Sequence, residues 1–332
     1  MKKLSWKSWL LLALLAVGTV WVVRHDGATW HSNQGRVFGT VYHVTYLHST
    51  DLQSAIEGRM AEVDRSLSMF NPQSTISRIN DGSSTATDSL FRHVFRLAAE
   101  VNSLTNGAFD ITVAPLVNAW GFGFRHDERV TPEAIDSLRR FVGMARVHLT
   151  ADGRLLKDDP RTMLDCSAIA KGFGADHVAS LFDSLGIRNY MVEIGGEVVV
   201  RGHNSKGNDW RIGINSPEED ALATTNALDT IVSLTGCAMA TSGNYRNYYV
   251  RDGRRYAHTI DPRLGTPVQH SVLSATVIAP TCMEADALAT SFMVLGADSA
   301  RLILASRPDL RAYLILSPDS ATHTPRVVRH NM

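Results

Sequence analysis

Apolar and polar positions along the chain mark a mixed succession of helices and strands. Over residues 51–67 apolar side chains return at Leu52, Ile56, Met60, Val63 and Leu67, the spacing of one helix face. Residues 90–104 read the same way and stop near Asn106-Gly107. Thr131-Pro132-Glu133 opens another helix, with proline at its first position. Residues 168–185 carry helical spacing at Ile169, Phe173, Val178, Leu181, Phe182 and Leu185. Thr281 with Glu284 forms a capping-box pattern and opens a helix running to about Leu295. Alternating or β-branched runs predict strands at 37–47, 190–194, 197–200, 210–214, 231–234, 247–251, 256–260 and 274–278, with a strand end at 162–165. Residues 24–35 read as a linker and 66–82 as a polar, turn-rich connection. No regular βαβ alternation emerges, so the fold class is α+β.

Composition narrows this. The 332 residues are 44% hydrophobic and 20% charged, a globular mixture long enough for one large domain or two intimately packed ones. Cys166, Cys237 and Cys282 have neither the number nor the spacing of a disulfide scaffold or a zinc site. The 33 basic and 33 acidic residues cancel, but unevenly. Residues 1–30 hold Lys2, Lys3, Lys7 and Arg24 against Asp26, leaving 29 basic and 32 acidic residues beyond. A net acidic body argues against a nucleic-acid binder.

The N-terminal lysines precede an uncharged apolar run, residues 9–23, closed by Arg24-His25-Asp26. As a helix that run would span roughly 22 Å, short of a bilayer core of about 30 Å. Residues before it can extend the span. The lysines favour a cytoplasmic start and an exported remainder. We expect a signal anchor, or a cleaved signal peptide, with linker over 1–30, and the folded domain over 31–332.

Four strings can carry chemistry. On the helix after Thr281, Cys282, Asp286 and Thr290 share one face. A carboxylate and a hydroxyl among small apolar residues suit a hard cation such as Mg²⁺. A solvated or ion-paired Asp at a helix start explains the same pattern. In Asp165-Cys166-Ser167-Ala168-Ile169-Ala170-Lys171, a helix entry beside a lysine can hold an anion; a plain cap with a surface lysine also fits. Gly195-Gly196-Glu197 permits close approach of a ligand or an ordinary turn. Residues 241–247 precede His258-Thr259-Ile260-Asp261-Pro262, where His258 is a candidate general base or a structural hydrogen-bonder.

Taken in order, these strings resemble the ApbE family of FAD:protein FMN transferases. The resemblance runs from about Gly39 to Gly296. It rests on Gly39-Thr40-Val41-Tyr42, residues 64–80, Gly107-Ala108-Phe109-Asp110-Ile111-Thr112 with Trp120-Gly121-Phe122-Gly123, residues 165–171, 193–197, 241–243, 258–262 and 285–290. It implies a cleft between two packed subdomains. There FAD is cleaved at its pyrophosphate and FMN is joined to a Thr or Ser hydroxyl of an acceptor protein, with Mg²⁺ present and AMP leaving. By the same resemblance Asp286, Thr290 and the Ala168 carbonyl are the metal ligands. Phe38, Phe70, Ala108, Phe109, Asp110, Asp165, Lys171 and Ile260 are FAD contacts, and His258 activates the acceptor hydroxyl, with Asp286 the other catalytic residue. The implied acceptors are membrane redox subunits, met on the exported, periplasmic side of the inner membrane. Two alternatives remain: an FAD pyrophosphatase giving FMN and AMP, and a non-catalytic FAD-binding carrier.

Overall fold

The computed structural model describes residues 6–25, 27–123, 130–217, 228–244, 248–251, 254–318 and 325–332. Asp26 and the Tyr245-Arg246-Asn247 stretch of the fourth string lie outside these. The chain starts with helix α1 (Trp6–His25) and the hairpin β1 (Thr29–Val37) and β2 (Thr40–His48). Helices α2 (Gln53–Leu67), α3 (Thr75–Asn80), α4 (Ser89–Leu104), α5 (Ala114–Ala119) and α6 (Pro132–Arg139) follow, then the small hairpin β3 (Val147–Leu149) and β4 (Leu155–Lys157). Helix α7 (Ala170–Ser184) leads to β5 (Tyr190–Ile194), β6 (Glu197–Arg201), β7 (Trp210–Asn215), β8 (Leu228–Leu234) and β9 (Cys237–Gly243). Next come β10 (Tyr248–Arg251), β11 (Arg254–Ala257), β12 (Ile260–Asp261), β13 (Thr266–Pro267) and β14 (Val272–Ala279). Helices α8 (Cys282–Leu295) and α9 (Ala297–Ser306) and strands β15 (Arg311–Leu316) and β16 (Arg326–His330) close it.

One antiparallel sheet organises the whole, in the order β1-β2-β5-β6-β9-β14-β15-β16. Helices and strands are both abundant without a parallel repeat, as α+β requires. Several elements correct the sequence reading. Residues 29–35 are strand, not linker. As an edge strand β1 has one neighbour, so its polar run His31-Ser32-Asn33-Gln34 needs no apolar alternation. A two-residue turn, Phe38-Gly39, joins β1 to β2, both residues at positive φ (50° and 73°). The turn-rich stretch contains α3, whose N-terminus Ser74 caps by accepting the Ser77 N–H. Met163 makes only an isolated bridge to Val113, so no strand ends at 162–165. The 256–260 strand divides into β11 and β12, with His258 in the bend between them. Among the described residues no helix is long and apolar enough to cross a membrane.

Helix α8 sits under the middle of the sheet and is buried on nearly every side. Thr281 caps it by accepting the Glu284 N–H. Glu284, however, turns to Arg307 (2.7 Å) rather than back to the cap. A second cap comes from outside. Asp176 on α7 accepts the N–H groups of Cys282 and Met283 at 2.9 and 2.8 Å. The same two helices cross at Gly172. A Cβ there would lie 2.4 Å from the Cys282 carbonyl oxygen and 2.8 Å from the Asp286 Cβ. Glycine is therefore what lets α7 touch α8.

Two predictions follow from this crossing. Gly172→Ala must part the helices, and overpacking of this kind costs about 1–3 kcal/mol. Urea denaturation should show that loss, and an unchanged midpoint would mean the helices separate freely. Burial pushes the Asp176 carboxyl up to about 6 from 3.8, against its bonds to Met283 and Cys282. The folded state then holds a proton that the unfolded chain has released. Stability from this group is present below pH 3.8 and is lost as pH rises toward 6. The slope is at most on the order of 1 kcal/mol per pH unit. Stability against pH should be flatter across that window in Asp176→Asn.

Candidate functional site

A cavity of about 490 Å³ opens where the α7–α8 crossing meets the loops around 108–123 and 258–262. Its wall includes Phe70, Ala108, Phe109, Asp110, Asp165, Ala168, Lys171, His258, Ile260, Asp286 and Thr290. Residues as far apart in sequence as Phe70 and Thr290 are thus brought together. Phe38 is not in this wall. The turn that holds it aims its ring at α7, where a Cβ on Gly174 would meet the ring at 2.7 Å.

Each side chain has a local cause. Asp286 and Thr290 are one turn apart on α8, so both face the cavity. The Asp286 carboxylate is 3% exposed, and its Oδ2 accepts the Gly172 N–H at 3.0 Å. Burial raises its pKa, opposed by Lys171 and by the Gly172 bond. Thr290 Oγ1 lies 2.9 Å from Ser242 Oγ on β9. Lys171 projects from the first turn of α7 and bonds to Glu197, the first residue of β6. Burial alone would lower its pKa, yet Asp286 and then Glu197 hold it above its usual value.

The opposite wall is built by carboxylates with inward duties. Asp110 Oδ1 accepts the Thr112 N–H and hydroxyl (2.8 and 2.6 Å), while Oδ2 accepts the Met144 N–H (3.0 Å). Burial still raises its pKa against those bonds. Asp110 therefore fixes the shape of its loop and presents Ala108 and Phe109 to the cavity. Asp165 is buried, accepts the Ser167 N–H at 2.7 Å, and donates its own N–H to Ile111 at 2.6 Å. Burial raises its pKa too.

His258 stands at the mouth, its ring 6.4 Å from Phe122 at a steep 69°. The bend that carries it is pinned on both sides. Thr259 Oγ1 donates to Asn244 (2.6 Å), and Asp261 clamps Arg263 through two side-chain bonds of 2.9 and 2.7 Å. Phe70 is 84% exposed at the rim.

Met69, Ser167 and Ser242 also line the cavity, though the sequence reading assigned them no role. Strand alternation is the signal that could have found Ser242. It pairs with Ala275 while its neighbour Thr241 pairs with Thr276 and bonds to it, leaving Ser242 for the α8 side. Cys166 and Cys282 are buried and free, and Cys237 is half-buried and free.

The donors fit a hard divalent cation. Asp286 and Thr290 offer a carboxylate and a hydroxyl, Ala168 adds a carbonyl, and all three atoms are oxygens. Among the described wall residues Lys171 is the one Lys or Arg, and the carboxylates of Asp286 and Glu197 both act on it.

Known proteins share this architecture. The model of the ApbE family matches residues 38–314. An FAD:protein FMN transferase of Haemophilus influenzae is 38% identical over 305 residues, covering 87% of this chain and 87% of that protein. One from Vibrio cholerae is 42% identical over 274 residues, covering 79% and 80%. The solved flavin transferase ApbE from Vibrio cholerae matches with a TM-score of 0.81 at 35% identity, covering 92% of this chain and 98% of that one. The apo form of the Pseudomonas stutzeri flavinyl transferase ApbE matches at 0.80 and 31%, covering 92% and 95%.

Proposed function

Because the chain belongs to the ApbE family, we propose that its cavity takes FAD and delivers the FMN half to a Thr or Ser hydroxyl of an acceptor protein. That it is an enzyme and transfers flavin follows from its relatives. The Mg²⁺ requirement, the hydroxyl target and the release of AMP are our reading. One observation carries it: Lys171, Asp286, Thr290 and His258 converge on a single cavity beside Phe109 and Asp165.

In this reading Asp286, Thr290 and the Ala168 carbonyl hold Mg²⁺. When bound, the ion offsets charge on the pyrophosphate and on the departing AMP. Lys171 contributes the positive side chain that a phosphate needs. Phe70 stacks on an aromatic ring of FAD at the rim, while Ala108, Phe109 and Ile260 exclude water. His258, at the mouth, accepts the proton of the acceptor hydroxyl. The new bond joins that oxygen to the phosphorus of FMN. The bond from that phosphorus to the bridging oxygen breaks, and AMP leaves with that oxygen and its electron pair.

We also place the enzyme on the exported side of the inner membrane, held there by its N-terminal segment. Support comes from the three lysines ahead of the apolar run and from Leu11, Leu14 and Val17, which stay 62, 63 and 68% exposed on α1. The acceptor is then a membrane redox subunit reached from that side.

Incubation with FAD, Mg²⁺ and a candidate acceptor domain, read by intact mass, tests the reaction. A gain of one FMN on the acceptor supports transfer. Free FMN and AMP without that gain would make the protein a pyrophosphatase, and unchanged FAD would leave only a carrier. Asp286→Ala should reduce transfer at least about 100-fold at ordinary Mg²⁺, as removal of a direct metal ligand implies; full rate would remove the metal assignment. His258→Ala should slow transfer by about 100-fold or more while FAD affinity changes little. Equal losses in both would end its role as base.

A further inference from the structure

The Gly195-Gly196-Glu197 turn supplies a side chain that the reaction above does not use. Glu197 is 2% exposed at the start of β6. Its Oε1 accepts from Lys171 Nζ, while its Oε2 is buried with no hydrogen-bond partner among the described residues. The backbone makes room for it: Gly195, at φ 64°, would set a Cβ 3.3 Å from that second oxygen. Burying a carboxylate is unfavourable unless it is paired. A lone buried ion pair adds little net stability even then. A carboxylate kept there with half its capacity unused is explained by its effect on Lys171.

That effect follows from the placement. The Lys171 side chain is 32% exposed and Glu197 2%, so the ammonium lies between Glu197 and the open cavity. Asp286 is the other carboxylate acting strongly on the same ammonium. Two negative groups compete for one cation, and the bond to Glu197 decides its position.

We propose that Glu197 is a positioning residue for flavin transfer, holding Lys171 Nζ away from Asp286 and toward the pyrophosphate of FAD. The proposal rests on the reading of the cavity as the FAD site. Without Glu197, Lys171 pairs with Asp286. That withdraws the cation from the phosphates and a ligand oxygen from the metal.

Calorimetric titration of the purified protein with FAD, without acceptor and with and without Mg²⁺, tests this. Riboflavin, which lacks phosphates, is the control ligand, and the thermal midpoint confirms folding. Glu197→Ala should raise the Kd for FAD about 10-fold, the scale of one charge-assisted contact. Riboflavin binding should stay unchanged. Glu197→Gln keeps an oxygen that accepts from Lys171, so it should recover most of the affinity. Lys171→Met should weaken FAD by a similar factor, and adding Glu197→Ala to it should cause no further loss. If Lys171→Met weakens FAD but Glu197→Ala does not, or if the two losses multiply, Glu197 does not act through Lys171 and the proposal falls. If Lys171→Met leaves FAD affinity unchanged, Lys171 does not contact FAD, and the proposal falls with that premise.

Discussion

The contact of α7 with α8 at Gly172 is the constraint on which the site depends. No side chain fits between the two helices there. The close approach lets the Gly172 N–H reach Asp286, puts Lys171 beside the same carboxylate, and allows Asp176 to cap α8. Backbone, ligand and cation are therefore set by one packing event. Widening it would disturb all three together, which is why a fold-level glycine has consequences for chemistry.

The crossing also explains the electrostatics. A buried carboxylate needs compensation, and Asp286 and Glu197 share Lys171 while Arg201 acts on Asp176. Burial and then Asp286 push the Glu197 carboxyl upward, and the Lys171 ammonium pulls it back down. Residues 31–332, with 29 basic against 32 acidic side chains, bring no net positive charge to a phosphate ligand. Among the described residues of the wall, positive charge comes from Lys171 and, in our reading, from a metal ion.

Much of this was legible in the sequence where periodicity and local chemistry agree. The buried helix 282–295 announced itself by its cap and its small apolar faces, and the one polar stripe on it pointed at the cavity. The two strands around Gly195-Gly196 were equally plain. What escaped depends on partners distant in the chain. β1 is too polar to resemble a strand until β2 is laid beside it, and β15 and β16 were missed altogether. The cap from Asp176 crosses 106 residues of sequence, and no local pattern encodes it. Glu197 looked like part of a turn because its partner, Lys171, is 26 residues away. The packing of Phe38 against Gly174 likewise depends on a turn at positive φ and on a helix 136 residues further on.

Among the described residues the sheet ends at β1 on one margin and β16 on the other, and both carry polar side chains. β1 presents His31, Ser32, Gln34 and Arg36, while β16 carries Arg326, Arg329 and His330. Unpaired backbone at a margin invites another chain to add itself as a further strand, and polar and basic side chains discourage that. An enzyme that modifies other proteins meets folded and unfolded chains continually. With its margins fenced in this way, a visiting protein gains little by lingering on the sheet.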